Sequence, residues 1–268
     1  MTKDDVSSCT YLYFGLLVTG EGERKYLHRL FRELTATGVG HFEVIRKIEQ
    51  LTPRTSRQRR IEVVGTNQRI PTKDEERISL PARNFLQEKG PCSFALLIDD
   101  LEHDRRDQVQ AVFERYRDAL EQALDEEQKR RVAVHFLVTM LEAYFFADAQ
   151  AVNQVLDCTP PLEDYPGDVE QIRHPKGELK RRCRGYSETE TMGAILSLLD
   201  VSHVLARPDT CAALRALFDW CVCQMQTHTA DILHISFDEL RQRLHLDDGV
   251  LHPVTKHQCR HRALSPTS

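Results

Sequence analysis

Two acid-bearing stretches mark where this chain could do chemistry. In GLLVTGEGERKYLHRLF (residues 15–31) an apolar run ends in a turn holding two glycines, Glu21 and Glu23, and apolar residues then recur at helical spacing. In CSFALLIDDLEHD a second apolar run ends in Asp99, Asp100, Glu102 and Asp104. Strand–glycine turn–helix units commonly hold phosphate on backbone N–H groups. Two glutamates at such a turn repel phosphate unless a cation comes between. Asp100 and Glu102 lie two apart, so an extended backbone projects both to one side. Paired carboxylates are costly in an apolar crevice, and Mg2+ or Mn2+, which favour carboxylate oxygens together with water and substrate phosphate, relieve that cost. Such an ion polarises a phosphodiester, orients water and stabilises the leaving oxygen. Helix capping is the competing use of the same acids, with Asp104 or Asp107 starting the next helix and Glu23 favouring a first turn.

These acids converge only if strands and helices place them together. YLYFGLLV, CSFALLIDD and VAVHFLVTM are near-continuous apolar runs suited to strands buried on both faces, and HFEVIRKI reads as a further strand or a strand–helix edge. Helices are expected after the first run, with Tyr26, Leu27, Leu30, Phe31 and Leu34 inward, over DQVQAVFERYRDALEQAL, and over LEAYFFADAQAVNQVL. This order predicts an α/β fold, a mostly parallel sheet covered by helices, over residues 10–158. In an open parallel sheet the carboxyl ends of the strands share one edge, where ligands bind. Residues 52–81 read as a polar insertion in which Arg54, Arg57, Arg59 and Arg60 form either a solvated loop or a loop facing nucleic acid, with a short strand candidate at 61–64. Residues 159–225 read as a helical extension, and 226–268 as a short helical segment and a disordered tail. RHPKGELKRRCRGY brings together Lys176, Lys180, Arg181, Arg182 and Arg184, either a groove for a nucleic-acid backbone or a solvated helix.

Bulk properties narrow the field. The chain has 268 residues, a formal net charge of −5, 41% hydrophobic and 29% charged residues. It can bury a core, and any basic surface must be local. The G-x-x-x-x-G-K-[ST] phosphate loop is absent, as is the third glycine of a dinucleotide fingerprint. The polar, acidic opening lacks a secretory pattern and the eight cysteines form no C-x-x-C, so reduced thiols and a cytoplasmic setting are expected. His252, His257, Cys259 and His261 resemble a metal cluster by composition only.

Strand–Gly-turn–helix followed by a strand ending in acids resembles the TOPRIM layout, strand–E-G-x-T-E–helix and then D-x-D. Adding LEAYFFAD, HPKGELKRR, YSETETMGAIL and RPDTCAALRAL in this order, the chain over residues 12–217 is similar to an uncharacterised TOPRIM-related family, akin to RloB-like and OLD-type proteins, whose members often sit beside SMC-like ATPases in bacterial defence loci. The resemblance implies a Mg2+-dependent nuclease, the effector of an antiphage system acting on DNA or RNA with an SMC-like or ABC-type ATPase partner. It implies catalytic roles for Glu21, Glu23, Asp100 and Lys176, a metal held by Glu21, Glu23, Asp100, Glu102 and Asp104, and nucleic-acid contacts from Lys176, Lys180, Arg181, Arg182 and Arg184. Glu23 falls on the second glutamate of the turn, Glu102 replaces the second aspartate of D-x-D, and Glu142 matches an acid after the third buried run. Two positions depart from the pattern. Thr19 stands at the first glutamate, and Glu188 stands where a lysine is expected. The alternative is a scaffold that has lost its chemistry and binds a partner ATPase or nucleic acid without cutting.

Overall fold

The apolar runs become strands because they have no polar face to offer water. In the computed structural model, which describes residues 9–51, 71–229 and 236–258, β1 (Leu12–Val18), β2 (Gly40–Lys47), β3 (Ser93–Leu101) and β4 (Val132–Val138) form one sheet. The order is β2-β1-β3-β4 and every pairing is parallel. All nine residues of β3 and all seven of β4 are buried, the pattern of strands covered on both faces. Strand alternation divides the core into two layers. Phe14, Leu16, Phe94, Leu96, Ile98, Ala133 and Leu137 face one layer. Leu17, Ala95, Leu97, Leu101, Val134 and Phe136 face the other.

The first layer is closed by α1 (Glu21–Tyr26), a 3-10 turn over Leu27–Phe31, α2 (Arg32–Thr35) and, further along the chain, α5 (Ala149–Val155), α7 (Met192–Leu198), α8 (Val201–Leu205) and α9 (Ala212–His228). Its centre is a run of stacked rings, Phe14 on Phe42 at 4.5 Å, Phe42 on Phe31 at 4.3 Å and Phe31 on Phe218 at 5.5 Å. Truncating any one of them to alanine would cost about 3–5 kcal/mol. The second layer is closed by α3 (Lys73–Lys89), through Ile78, Ala82, Phe85 and Leu86, and by α4 (Val109–Glu121), through Val112, Tyr116, Ala119 and Leu120.

Local chemistry explains where the sequence reading and the structure part. The polar insertion is expected to run to residue 81, yet α3 starts at Lys73. Thr72 and Glu75 form a reciprocal capping box that starts the helix there, and burial of Ile78, Ala82, Phe85 and Leu86 against the sheet holds it helical through Pro81. Arg54, Arg57, Arg59, Arg60 and the strand candidate at 61–64 lie outside the described residues. The helix expected over LEAYFFADAQAVNQVL is two pieces, a 3-10 turn at Leu141–Ala147 and then α5, because Asp148 leaves helical geometry and caps Ala151. After α5, a two-residue pairing of β5 (Asp157–Cys158) with β6 (Cys183–Arg184) flanks α6 (Pro175–Arg182). A last helix, α10, covers Phe237–Arg243.

The expectation of reduced thiols is corrected: Cys9 is bonded to Cys92 and Cys158 to Cys183, Cys223 is disulfide-bonded too, and Cys211 and Cys221 are buried free thiols. Both pairs join segments distant in the chain, which spacing alone does not reveal. Of the tail, residues 236–258 are described. His252 is buried against Phe136, and the Gln258 carboxamide bonds both the N–H and the carbonyl of Val134, closing the edge of β4. Cys259 and His261 lie outside the described residues, and His252 is packed against Phe136. No helix among the described residues is long and apolar enough to cross a membrane.

Arg215 ties the extension together. Fully buried, it donates to the carbonyls of Leu205, Arg207, Thr210, His245 and Val250 at 2.7–3.1 Å. These five bonds match its five N–H groups. A side chain at Gly249 would overlap the guanidinium. Arg215→Met leaves five carbonyls without their donor, so we expect a loss of at least about 3 kcal/mol, read as a lower urea midpoint. An unchanged midpoint would show that the anchor is dispensable.

Candidate active site

Because β1, β3 and β4 run parallel, their carboxyl ends deliver Thr19–Glu23, Asp100–Glu102 and Thr139–Glu142 to one edge. Each turn there is specialised. Gly20 precedes α1, and a Cβ on it would overlap the Glu23 carboxylate, so glycine lets Glu23 fold back over the strand end. Gly22 sits against Met192 so closely that a Cβ would lie 2.6 Å from its sulfur, and Tyr26 donates to the Thr189 carbonyl at 2.5 Å. These contacts press α1 onto the segment carrying Tyr186 and Glu188. Thr139 is held at φ 71°, a left-handed conformation that costs about 1–3 kcal/mol in a β-branched residue. Its N–H bonds the Leu101 carbonyl at 2.9 Å and its hydroxyl bonds the Glu170 carbonyl at 2.9 Å, and the chain turns there to bring Glu142 in.

The result is a buried acid cluster. Glu23, Asp100 and Glu142 are 5%, 8% and 1% exposed. Burial, with the neighbouring charges of Glu142 and Glu188, pushes the Glu23 carboxyl up to about 7. Burial also holds Asp100 well above the ordinary carboxylate range, helped by Glu23, Glu142, Asp99 and Glu102. Asp100 Oδ1 is buried and has no hydrogen-bond partner. Burial raises Glu142 too, against the pull of the Tyr186 hydroxyl, which donates to its Oε1 at 2.8 Å. Lys176 bonds Glu188. Burial works against its charge, but Glu188, Glu142 and Glu23 outweigh this and raise its pKa.

Strand alternation sends Asp99 to the opposite face. There it accepts from Arg105 at 2.6 Å and Gln50 at 3.2 Å, while Arg105 also holds the Asp100 carbonyl at 3.2 Å and clamps the strand end. Thr19, at the first-glutamate position, accepts from the Asp100 N–H at 3.4 Å, so its hydroxyl supports the acid's backbone.

Of the residues singled out from the sequence, the structure brings together Glu23, Asp100 and Lys176. Glu21 points away: Arg24 at 2.5 Å and Lys47 at 3.4 Å hold it outward, and the Arg24 bond lowers its carboxyl to about 2. The strand ends at Leu101, so Glu102 does not follow Asp100 inward; it is exposed, though its charge reaches Asp100. Asp104 is exposed in the turn His103–Gln108. In the basic segment, Arg181 and Arg182 both grip Glu178 at 2.6 Å, and Lys180 and Arg184 are exposed. Tyr186 and Glu188 entered the cluster without a sequence signal beyond their place in YSET, and Glu142 gains its role through the turn at Thr139. Among the described residues no three His, Cys, Asp or Glu side chains stand in metal-holding geometry.

A carboxyl group raised by folding favours the protonated native state, so its stabilising share is full below about 4.5 and is lost as pH rises through about 7. Glu23→Gln removes that loss. Urea midpoints at pH 5 and pH 8.5 should fall less in the variant, by about 1–3 kcal/mol over this interval. Parallel pH profiles would contradict the burial argument.

No curated protein and no solved structure shows significant similarity to the chain. A family model does match residues 18–219, from the end of β1 through the acid cluster and into α9. The chain therefore belongs to the family described as a domain of unknown function, DUF4276.

Proposed function

We propose that the protein is a metal-dependent nuclease whose active site is the cluster of Glu23, Asp100, Glu142 and Lys176. One observation carries this reading: Asp100 keeps a buried carboxylate oxygen without a partner amid acids that repel one another. A buried charge is normally paired or bound to a metal. The donor set is all oxygen, which suits Mg2+ or Mn2+. Asp100, Glu23 and Glu142 would hold the ion after losing their protons and drawing closer, with Glu102 at the rim. When bound, it would polarise a phosphodiester and stabilise the leaving oxygen.

The chain's own residues supply the remainder. Glu23 is raised to about 7 without the ion, so binding it would release a proton near neutral pH. Tyr186 fixes the orientation of Glu142 through its hydrogen bond. Lys176, poised on Glu188, offers a cation to a phosphate oxygen. The TOPRIM-like sequence layout supports phosphodiester chemistry, and with it an antiphage role beside an SMC-like or ABC-type ATPase.

The purified protein should nick plasmid, single-stranded DNA or RNA in Mg2+ or Mn2+, and Asp100→Asn should slow this at least about 100-fold. Glu21→Gln should leave the rate unchanged, because Glu21 points outward. Silence on every substrate, with an ATPase partner and ATP present, would sink the nuclease. That silence favours the second reading, a binding module, for which the observation is Thr19 in the place of a glutamate.

The proposed setting is cytoplasmic. The disulfides weigh against it, since reducing compartments keep thiols open. Rapid alkylation of cells followed by non-reducing peptide mapping decides the matter. Linked Cys9–Cys92 and Cys158–Cys183 peptides would place the protein in an oxidising compartment, and alkylated thiols would support the cytoplasm.

A further inference from the structure

A cleft of about 670 Å³ is walled by Phe146, Pro161, Tyr165 and Ile172 and bordered by Arg173 and Arg182. Its size is that of a small-molecule or nucleotide pocket. The wall is built in advance rather than left to a loose loop. The Tyr165 N–H bonds the Phe146 carbonyl at 2.7 Å, and Arg207 holds the carbonyls of Tyr165 and Pro166 at 2.6 and 2.9 Å. Asn153 makes two bonds to Leu162, at 2.8 and 2.9 Å. Within this fixed strap the Tyr165 ring lies over Gly167, where a Cβ would approach it to 3.0 Å, and remains 38% exposed. It is one of three large hydrophobic side chains exposed among the described residues, the others being Leu198 and Val250. An aromatic ring held rigidly yet left open offers a stacking face.

Charge at the rim is unevenly satisfied. Asp164 is occupied by His203 at 2.7 Å and by the Ala149 N–H at 2.8 Å, and Glu178 by Arg181 and Arg182. Glu163 is exposed at the outer wall. Among the described residues Arg173 uses its Nε alone, donating to His103 Nε2 at 3.1 Å, so its two terminal nitrogens remain open for a bidentate contact. His103 follows Asp100 by three residues, so this bond joins the cleft to the acidic strand end.

We propose that the cleft is a nucleotide subsite for a single strand, with one base stacked on Tyr165 and the adjoining phosphate on Arg173, its neighbour continuing toward Asp100. The inference rests on the nuclease reading for the polarity of that path and adds the substrate class. Stacking on Tyr165 requires a base free of its own neighbours, which a single strand offers and a regular duplex does not. A forked cation next to an aromatic face is the pairing that backbone-tracking, sequence-tolerant strand binding needs.

Fluorescence anisotropy with end-labelled 12-nucleotide single strands of DNA and RNA and a duplex of equal length tests this, in EDTA so that nothing is cut. Single strands should bind more tightly than duplex. Tyr165→Ala should weaken single-strand binding about tenfold, and Tyr165→Phe should not. Arg173→Ala should weaken it and reduce the salt slope by about one. Equal binding by wild type and Tyr165→Ala, duplex binding as tight as single strand, or no binding of any strand would each overturn the subsite. A parallel cleavage assay with Asp100→Asn separates the two ideas. Tyr165-dependent binding without Asp100-dependent cutting removes the nuclease and keeps the subsite. Asp100-dependent cutting indifferent to Tyr165 does the reverse.

Discussion

Carboxylates withdrawn from water beside one another resist ionising together, and this constraint organises the functional edge of the molecule. Asp100 lies inside the edge of the sheet because β3 is buried along its whole length. Its neighbours Glu23 and Glu142 arrive from the ends of β1 and β4, and burial with mutual repulsion raises all three. Such an arrangement persists only while protons, a cation or hydrogen-bond donors offset the repulsion. The structure provides donors partway: Tyr186 on Glu142 and Lys176 on Glu188. It leaves one oxygen of Asp100 without any.

The helical extension supplies those donors, so it belongs to the site as much as to the scaffold. α6 carries Lys176, the following turn carries Tyr186 and Glu188, and α7 fixes that turn against α1 through Gly22 and Met192. Behind it, Arg215 gathers five carbonyls and Glu170 accepts from Tyr144 and the Ala213 N–H at 2.9 Å. Burial pushes Glu170 up to about 7. His135, with neither ring nitrogen hydrogen-bonded, is held by burial down to about 3 beside Trp220. The bonds of Arg215 and Glu170 thus fasten the extension, whereas His135 is packed in the sheet on its ring alone.

The strands and their parallel order were legible because buried strands leave an unmistakable run of apolar residues, and the placing of acids after β1 and β3 followed from that. The start of α3 is hidden in the sequence, because charged residues and Pro81 mask the capping signal of Thr72 and Glu75. Glu21 and Glu23 look equivalent as letters. Gly20 folds Glu23 inward, while Arg24 and Lys47 hold Glu21 at the surface. Asp100 and Glu102 were expected to point one way, and the end of the strand at Leu101 separates them.

The amino-acid sequence by itself determined the layered α/β architecture and the acidic character of the sheet edge, because hydrophobic periodicity and composition are local properties. Only the tertiary structure decided which acids meet. That depended on the left-handed turn at Thr139, on glycines permitting close approach, and on a return of the chain that sets Tyr186, Glu188 and Lys176 beside Glu142. It also paired Cys9 with Cys92 and Cys158 with Cys183. These are contacts between residues far apart in sequence, and no local pattern encodes their distance.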